Sequence, residues 1–156
     1  MDFSTNTGGV SVLFGAGKLA DEDGIAAIRK TLADRGVTRA LIVTTEGSNR
    51  RNGDLVRNTL GPLLASTWIF AQPKIDQTNV DALLRSVTEY NADCVVALGG
   101  GSVTGICKIA ALTRAEDDTA PDLVIAAIPT TFSGSEMTNI WGLHKDGHKV
   151  STCTVL

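Results

Sequence analysis

The chain has 156 residues, 43% of them hydrophobic and 20% charged, with a formal net charge of −3. That length supports one domain with a core of its own, and the mildly acidic balance, with no basic stripe, excludes a nucleic-acid-binding surface. No apolar stretch is long enough to cross a bilayer and Met1-Asp2-Phe3-Ser4-Thr5 does not open a signal peptide, so no membrane association and a cytoplasmic location are expected. Three cysteines, Cys94, Cys107 and Cys153, have no metal-like or disulfide-framework spacing, and an odd count suits a reducing compartment. Cys94 and Cys107 lie in apolar segments and read as small core residues.

Residues 10–14 read as a strand. A helix over 21–35 follows, with Ile25, Ile28 and Leu32 on one face, closed by Gly36 in the left-handed region. Residues 39–44, centred on Ala-Leu-Ile-Val, form a short buried strand, and 47–53 read as a polar loop. Val56, Leu60, Leu63 and Leu64 mark a second helix, and Trp68-Ile69-Phe70 the next strand. Thr78 is the expected helix N-cap, with Asp81 three residues on, ahead of Val80, Leu83, Leu84 and Val87 at helical spacing. Residues 94–98 make an apolar strand that ends at Gly99-Gly100-Gly101, a helix covers 103–113, and 115–121 form a polar loop. Residues 123–128 make another buried strand, stopped by Pro129. At the tail, extended segments at 139–145 and 148–154 flank Asp146-Gly147, a strong hairpin signal.

Continuous apolar strands alternating with amphipathic helices predict an α/β fold: a Rossmann-like parallel sheet with helices on both faces, plus a C-terminal β-hairpin. No internal repeat or linker divides the chain, so residues 1–156 form a single domain.

Three segments can carry chemistry. Leu98-Gly99-Gly100-Gly101-Ser102 lies between a strand and a helix. Its glycines let backbone approach an anion closely, the helix start offers free amides and a positive dipole end, and Ser102 adds a hydroxyl. Phosphate or pyrophosphate is the natural ligand; a tight turn that binds nothing is the alternative. The spacing is not the Gly-x-Gly-x-x-Gly fingerprint. Pro129-Thr130-Thr131-Phe132-Ser133-Gly134-Ser135-Glu136 also follows a buried strand, and its hydroxyls suit a ribose, a phosphate or a carboxamide, or else cap their own backbone. Phe14-Gly15-Ala16-Gly17-Lys18 could shape an edge of the crevice, though it lacks the spacing of a P-loop and reads as a plain turn.

Taken together, Leu-Gly-Gly-Gly-Ser-Val-Thr-Gly-Ile-Cys-Lys at 98–108 and Pro-Thr-Thr-Phe-Ser-Gly-Ser-Glu-Met-Thr-Asn-Ile-Trp-Gly at 129–142 closely resemble the iron-type alcohol dehydrogenase superfamily. The resemblance runs from the Phe14–Gly17 turn to the hairpin at Gly147. Gly105, where the iron-type enzymes commonly carry aspartate, and the run from Gly134 to Gly142 resemble its maleylacetate reductase branch.

The resemblance implies NAD or NADP as cofactor and reduction of the carbon–carbon double bond of maleylacetate to 3-oxoadipate in aromatic degradation. It implies that Gly99, Gly100, Gly101 and Ser102 hold the pyrophosphate, and that Thr130, Thr131 and Ser133 line the adenosine and nicotinamide side. Lys108 belongs to the motif without a clear role. Thr44-Thr45-Glu46 stands where related enzymes contact the adenosine ribose; Glu46 could accept bonds from a free 2′-hydroxyl, which favours NAD, or simply face water.

The resemblance also implies a helical second half, about as long again, that holds the metal ligands and most of the substrate pocket. That half is absent from this sequence, so no metal in this chain and no assignable catalytic residue are expected. His144 and His148 read as hairpin surface residues. Cys153-Thr154-Val155-Leu156 formally fits a C-a-a-X pattern, but no polybasic run precedes it, and coincidence explains it. The chain is expected to act as the dinucleotide-binding domain of a maleylacetate reductase-like oxidoreductase and to form a homodimer. The alternative is a truncated, repurposed dehydrogenase-like protein: a dimeric binding module or a cofactor-independent isomerase or cyclase.

Overall fold

The computed structural model describes residues 3–7, 10–70, 75–145 and 148–153. Two strands with uninterrupted apolar sequence form its centre: β3 (Ala40–Thr44) and β5 (Cys94–Gly99) are buried along their whole length. Chains this apolar on both sides fit only inside a sheet covered on both faces. Here β3 and β5 pair in parallel, flanked by β4 (Leu64–Ile69) beside β3 and β6 (Val124–Pro129) beside β5, giving the order β4-β3-β5-β6.

Alternation along the strands sorts the core into two layers. Ala40, Ile42, Cys94, Val96 and Leu98 face helices α1 (Glu22–Asp34) and α2 (Glu46–Leu60), where Leu32, Val56 and Leu60 meet them. Leu41, Val43, Val95 and Ala97 face α3 (Gln77–Glu89) and α4 (Gly101–Ala115), packing with Val80, Leu83, Val87, Val103 and Ile106. The expected parallel sheet with helices on both faces is therefore what the chain builds. Gly36 closes α1 at φ 76°, as its position after the helix predicts. Cys94 and Cys107 are free and buried, and burial pushes the Cys94 thiol up to about 12.

Several elements depart from the sequence reading. Strand β2 (Val10–Phe14) does not join the parallel sheet: it pairs antiparallel with β1 (Phe3–Thr7), whose Phe-Ser-Thr-Asn-Thr carries no apolar alternation to announce a strand. Residues 47–53 are not a loop but the first half of α2. Thr45 caps that helix, accepting from the Ser48 amide at 3.4 Å, and Arg57 bonds Asn49 and Asp54 at 2.9 and 2.8 Å along its exposed side. Glycine costs about 1 kcal/mol in a helix interior; burial of Val56 and Leu60 outweighs Gly47 and Gly53.

Leu63 and Leu64 lie beyond α2, in a short 3-10 turn and at the start of β4. Helix α3 is capped not by Thr78 but by Asp76, which accepts from the Asn79 amide at 3.0 Å. Thr78 falls inside the first turn. Pro129 belongs to β6 instead of stopping it, paired with Gly99, which an edge strand tolerates because its outer side needs no ladder donor.

Strands β7 (Ile140–Lys145) and β8 (His148–Cys153) pair antiparallel from Ile140↔Cys153 to Lys145↔His148, as the hairpin signal predicts; Asp146-Gly147 itself lies outside the described residues, as do Thr154, Val155 and Leu156. The hairpin is docked, because Trp141 and Leu143 pack against the α3/α4 core layer. His144 is accordingly not a free surface residue: it is half-buried, its amide donates to Ile75 O at 2.7 Å and its Nδ1 lies 3.2 Å from the same oxygen. His148 is exposed.

Asp93 fastens the start of β3 to the start of β5, accepting from the Thr38 amide at 2.8 Å, the Thr38 hydroxyl at 2.5 Å and the Arg39 amide at 2.9 Å. Partial burial alone would raise its pKa, but the Thr38 hydroxyl and the two amides more than offset that and hold the carboxyl below its usual 3.8. A depressed folded-state pKa stabilises the protein above the unfolded value, and this stabilisation is lost as pH falls through the folded value. Asp93→Asn is expected to cost about 1–2 kcal/mol at pH 7. Urea midpoints of the two proteins should converge as pH drops below 3.8; a constant gap would show that ionisation of Asp93 is not the source.

A glycine corner at the carboxyl ends of the central strands

From β3 the chain crosses outward to β4; from β5 it crosses the opposite way to β6. The carboxyl ends of β3 and β5 therefore form the switch point where open α/β sheets leave a crevice. Helices α2 and α4 both start there. Their N-termini differ: α1, α2 and α3 are capped by the side chains of Asp21, Thr45 and Asp76, whereas the N-cap of α4 is Gly100, which has no side chain to offer. Orphan amides at such an end are a ready anion site. Gly101 and Ser102, the first two residues of α4, are half-buried.

The three glycines are held close by the chain itself. A β carbon on Gly99 would stand 2.5 Å from Val103 Cγ2, one on Gly100 would stand 2.9 Å from Thr131 Oγ1, and one on Gly101 would stand 3.2 Å from the Ser133 Cβ and Oγ. The segment after β6 thus leans directly over the glycine turn. Its first residue continues the ladder, the Thr130 amide donating to Gly99 O at 2.9 Å. Thr131, Phe132 and Ser133 are exposed, and Gly134 turns the chain at φ 66°. Gly99, Gly100, Gly101, Ser102, Thr130, Thr131 and Ser133 come together in one corner.

Glu46 borders that corner as the first residue of α2. Its side chain is 62% exposed and lies 3.8 Å from Arg50 Nε. Thr44 is engaged structurally, its buried hydroxyl donating to Leu98 O at 2.8 Å. The Phe14–Lys18 segment does not shape the crevice in the way a strand-end loop of the parallel sheet would, because β2 is outside that sheet. It is a turn into α1, with Gly17 O accepting from the Ala20 and Asp21 amides.

The sequence does not disclose Ser48, and it names Lys108 only as part of the motif, with no role. Ser48, buried in α2, places its hydroxyl 3.4 Å from Thr130 Oγ1 and so spans the end of β5; its only sequence signal is the cap spacing from Thr45. Lys108, two turns into α4, donates to the carbonyls of Ser135, Thr138 and Ile140 at 2.8, 3.0 and 2.5 Å. Burial pushes its pKa down and nearby Glu136 pulls it back up. Glu136 Oε2 is buried without a hydrogen-bond partner.

Among the described residues no group of three or more His, Cys, Asp or Glu side chains is placed to hold a metal ion. Nor is any helix among them long and apolar enough to cross a membrane.

The chain is an open α/β domain with a glycine corner at its switch point and a hydroxyl-rich loop over it, and residues 11–155 match the profile of the iron-containing alcohol dehydrogenase family. The chain belongs to that family. Within it, the chain is similar to maleylacetate reductases: 36% identical over 143 residues to that of Sphingobium indicum, covering 90% of this chain and 36% of that protein. To the maleylacetate reductase of Rhizobium sp. strain MTP-10005 it is 36% identical over 152 residues, covering 96% and 38%. The crystal structure of maleylacetate reductase from Agrobacterium tumefaciens superposes with a TM-score of 0.72 at 29% identity, covering 86% of this chain and 36% of that one. The chain thus spans a little over a third of the length of these relatives.

Proposed function

We propose that this chain is the dinucleotide-binding domain of a maleylacetate reductase-like oxidoreductase. The observation that carries the reading is the start of α4: a glycine N-cap with no side-chain acceptor, at the switch point of the sheet, under a loop of hydroxyls. Amides of Gly101 and Ser102 would face the diphosphate of NADH or NADPH, with Gly99 and Gly100 keeping the approach clear. Thr130, Thr131 and Ser133 would bond the sugars or the carboxamide, and Glu46 would accept from an unsubstituted 2′-hydroxyl, which favours NAD. Reduced nicotinamide supplies a hydride when bound. Reduction of maleylacetate also needs its double bond held against that ring and a proton delivered. Residues for those tasks are expected in the part of the relatives that this chain does not span, so the chain alone should bind nucleotide weakly and reduce maleylacetate poorly or not at all.

Titration with NADH and NADPH, followed by fluorescence of Trp68 and Trp141, tests the reading. A saturable change with either nucleotide is expected, stronger with NADH; no saturable change with either up to millimolar concentration overturns it. Maleylacetate turnover near a typical enzymatic rate, on the order of 10 per second, would instead overturn the assignment of substrate chemistry to other residues.

A second reading draws on a different observation. Phe132, Met137, Ile140 and Val150 are large, apolar and exposed near the corner and the hairpin, and exposed apolar patches promote association. They support a homodimer, or a repurposed dimeric binding module, which size-exclusion chromatography would separate from a monomer.

A further inference from the structure

We infer that Lys108 is a positioning residue: its ammonium group gathers the loop after β6 and holds Thr131 and Ser133 against the glycine corner. An ammonium has three protons, and three carbonyls converge on this one. They belong to Ser135, Thr138 and Ile140, so one side chain binds the loop at three points over six residues. The first point lies beside the corner, since a β carbon on Gly101 would be 3.8 Å from Ser135 Cβ. Helix α4 carries both the corner, in its first turn, and Lys108, two turns on. A single rigid element therefore sets the gap between glycines and hydroxyls.

The other hydrogen bonds described for residues 130–138 are local or lie at the beginning of the loop. The Thr130 amide is tied to Gly99, the Ser135 amide donates to Ser133 Oγ at 3.3 Å, and the Met137 and Thr138 amides donate to Gly134 and Ser135 within one 3-10 turn. Phe132 and Met137 are exposed and supply no apolar anchor. The ammonium is half-buried at this position, and its three carbonyl partners replace the water it gives up. Arginine cannot substitute, because its planar fork presents donors in a plane and not to three converging acceptors.

The consequence for ligand binding rests on the dinucleotide reading; the tether itself does not. Hydrogen exchange on the whole chain, with and without NADH, should be compared among the wild type, Lys108→Met and Lys108→Arg. In both variants the Met137 and Thr138 amides are expected to exchange at least about tenfold faster, with β3 and β5 amides as protected as before, and the Kd for NADH to rise about tenfold. The tether is overturned if those two amides keep their protection, or if Lys108→Arg restores both protection and affinity, which would make charge alone sufficient. The positioning role is overturned if the loop loosens and affinity stays unchanged. Should Lys108→Met not fold, Lys108→Arg carries the comparison. If the wild type binds neither NADH nor NADPH, the dinucleotide reading fails, and exchange at Met137 and Thr138 alone decides the tether.

Discussion

Phe70→Ala is expected to destabilise the protein by about 3–5 kcal/mol, the usual cost of truncating a fully buried aromatic ring. Phe70 is 1% exposed and is among the largest side chains in the core. Its amide continues the strand pairing by donating to Thr44 O at 2.6 Å. Its ring stacks on Trp68 with centroids 5.7 Å apart and planes 19° from parallel. The surrounding layer of Leu41, Val43, Val80, Leu83 and Ile106 hangs on β3, α3 and α4, elements braced by their own hydrogen bonds. Such walls cannot collapse fully into the space, so the variant loses both the transfer energy and the contacts of the cavity lining. For a domain of this size the loss corresponds to a Tm drop of roughly 10 °C. The neighbouring Ile69 points the other way and is 42% exposed, so Ile69→Ala should move stability by about 0.5 kcal/mol or less. Urea titration of the two variants settles the matter: similar losses would mean that Phe70 is not the core residue it is placed as.

The contrast between Phe70 and Ile69 shows what the sequence could and could not disclose. Trp68-Ile69-Phe70 is legible as a strand because three bulky apolar residues run together, but which of them faces the core depends on register, and only Trp68 and Ile69 prove to be in β4. Central strands were the most legible elements, since Ala-Leu-Ile-Val and Cys-Val-Val-Ala-Leu have no polar face to confuse their assignment. Helix α2 was half hidden because, after Glu46, its first two turns are glycine, serine, asparagine and arginine; what makes them helical is the Thr45 cap and the burial of Val56 and Leu60 further on, a tertiary effect. Asp76 and Thr78 are both capable caps, and the contact of the Ile75–Asp76 stretch with His144 of β7 accompanies the earlier start. At the corner, the glycines and the loop hydroxyls were legible as types. Their mutual contact was not, because Ser48 and Thr130 meet across 82 positions of sequence and Lys108 reaches loop carbonyls 27 to 32 residues away.

The same corner separates folding from binding at adjacent glycines. Gly99→Ala would drive a β carbon to 2.5 and 2.9 Å from the Val103 side chain. Valine in a helix has one strongly preferred rotamer and cannot turn aside, so the strain falls on β5 or α4, and a stability loss of about 1–3 kcal/mol is expected. Gly100 sits at φ −89°, a conformation open to any residue, so backbone strain plays no part there. Its β carbon would meet Thr131 Oγ1 and Cγ2 at 2.9 and 3.0 Å, the ends of an exposed side chain on a loop. Alanine can be accommodated by a small shift of Thr131. Valine adds two γ methyl groups that must either displace the loop or lie before the first amides of α4. In either case the diphosphate loses its approach. Gly100→Val is therefore expected to weaken NADH binding about 100-fold, equivalent to about 2.7 kcal/mol, while costing only about 1–2 kcal/mol of stability. Binding isotherms and urea curves measured on Gly99→Ala, Gly100→Ala and Gly100→Val should show the two effects diverging. A Gly100→Val protein that folds and binds NADH with unchanged affinity would place the diphosphate elsewhere on the molecule.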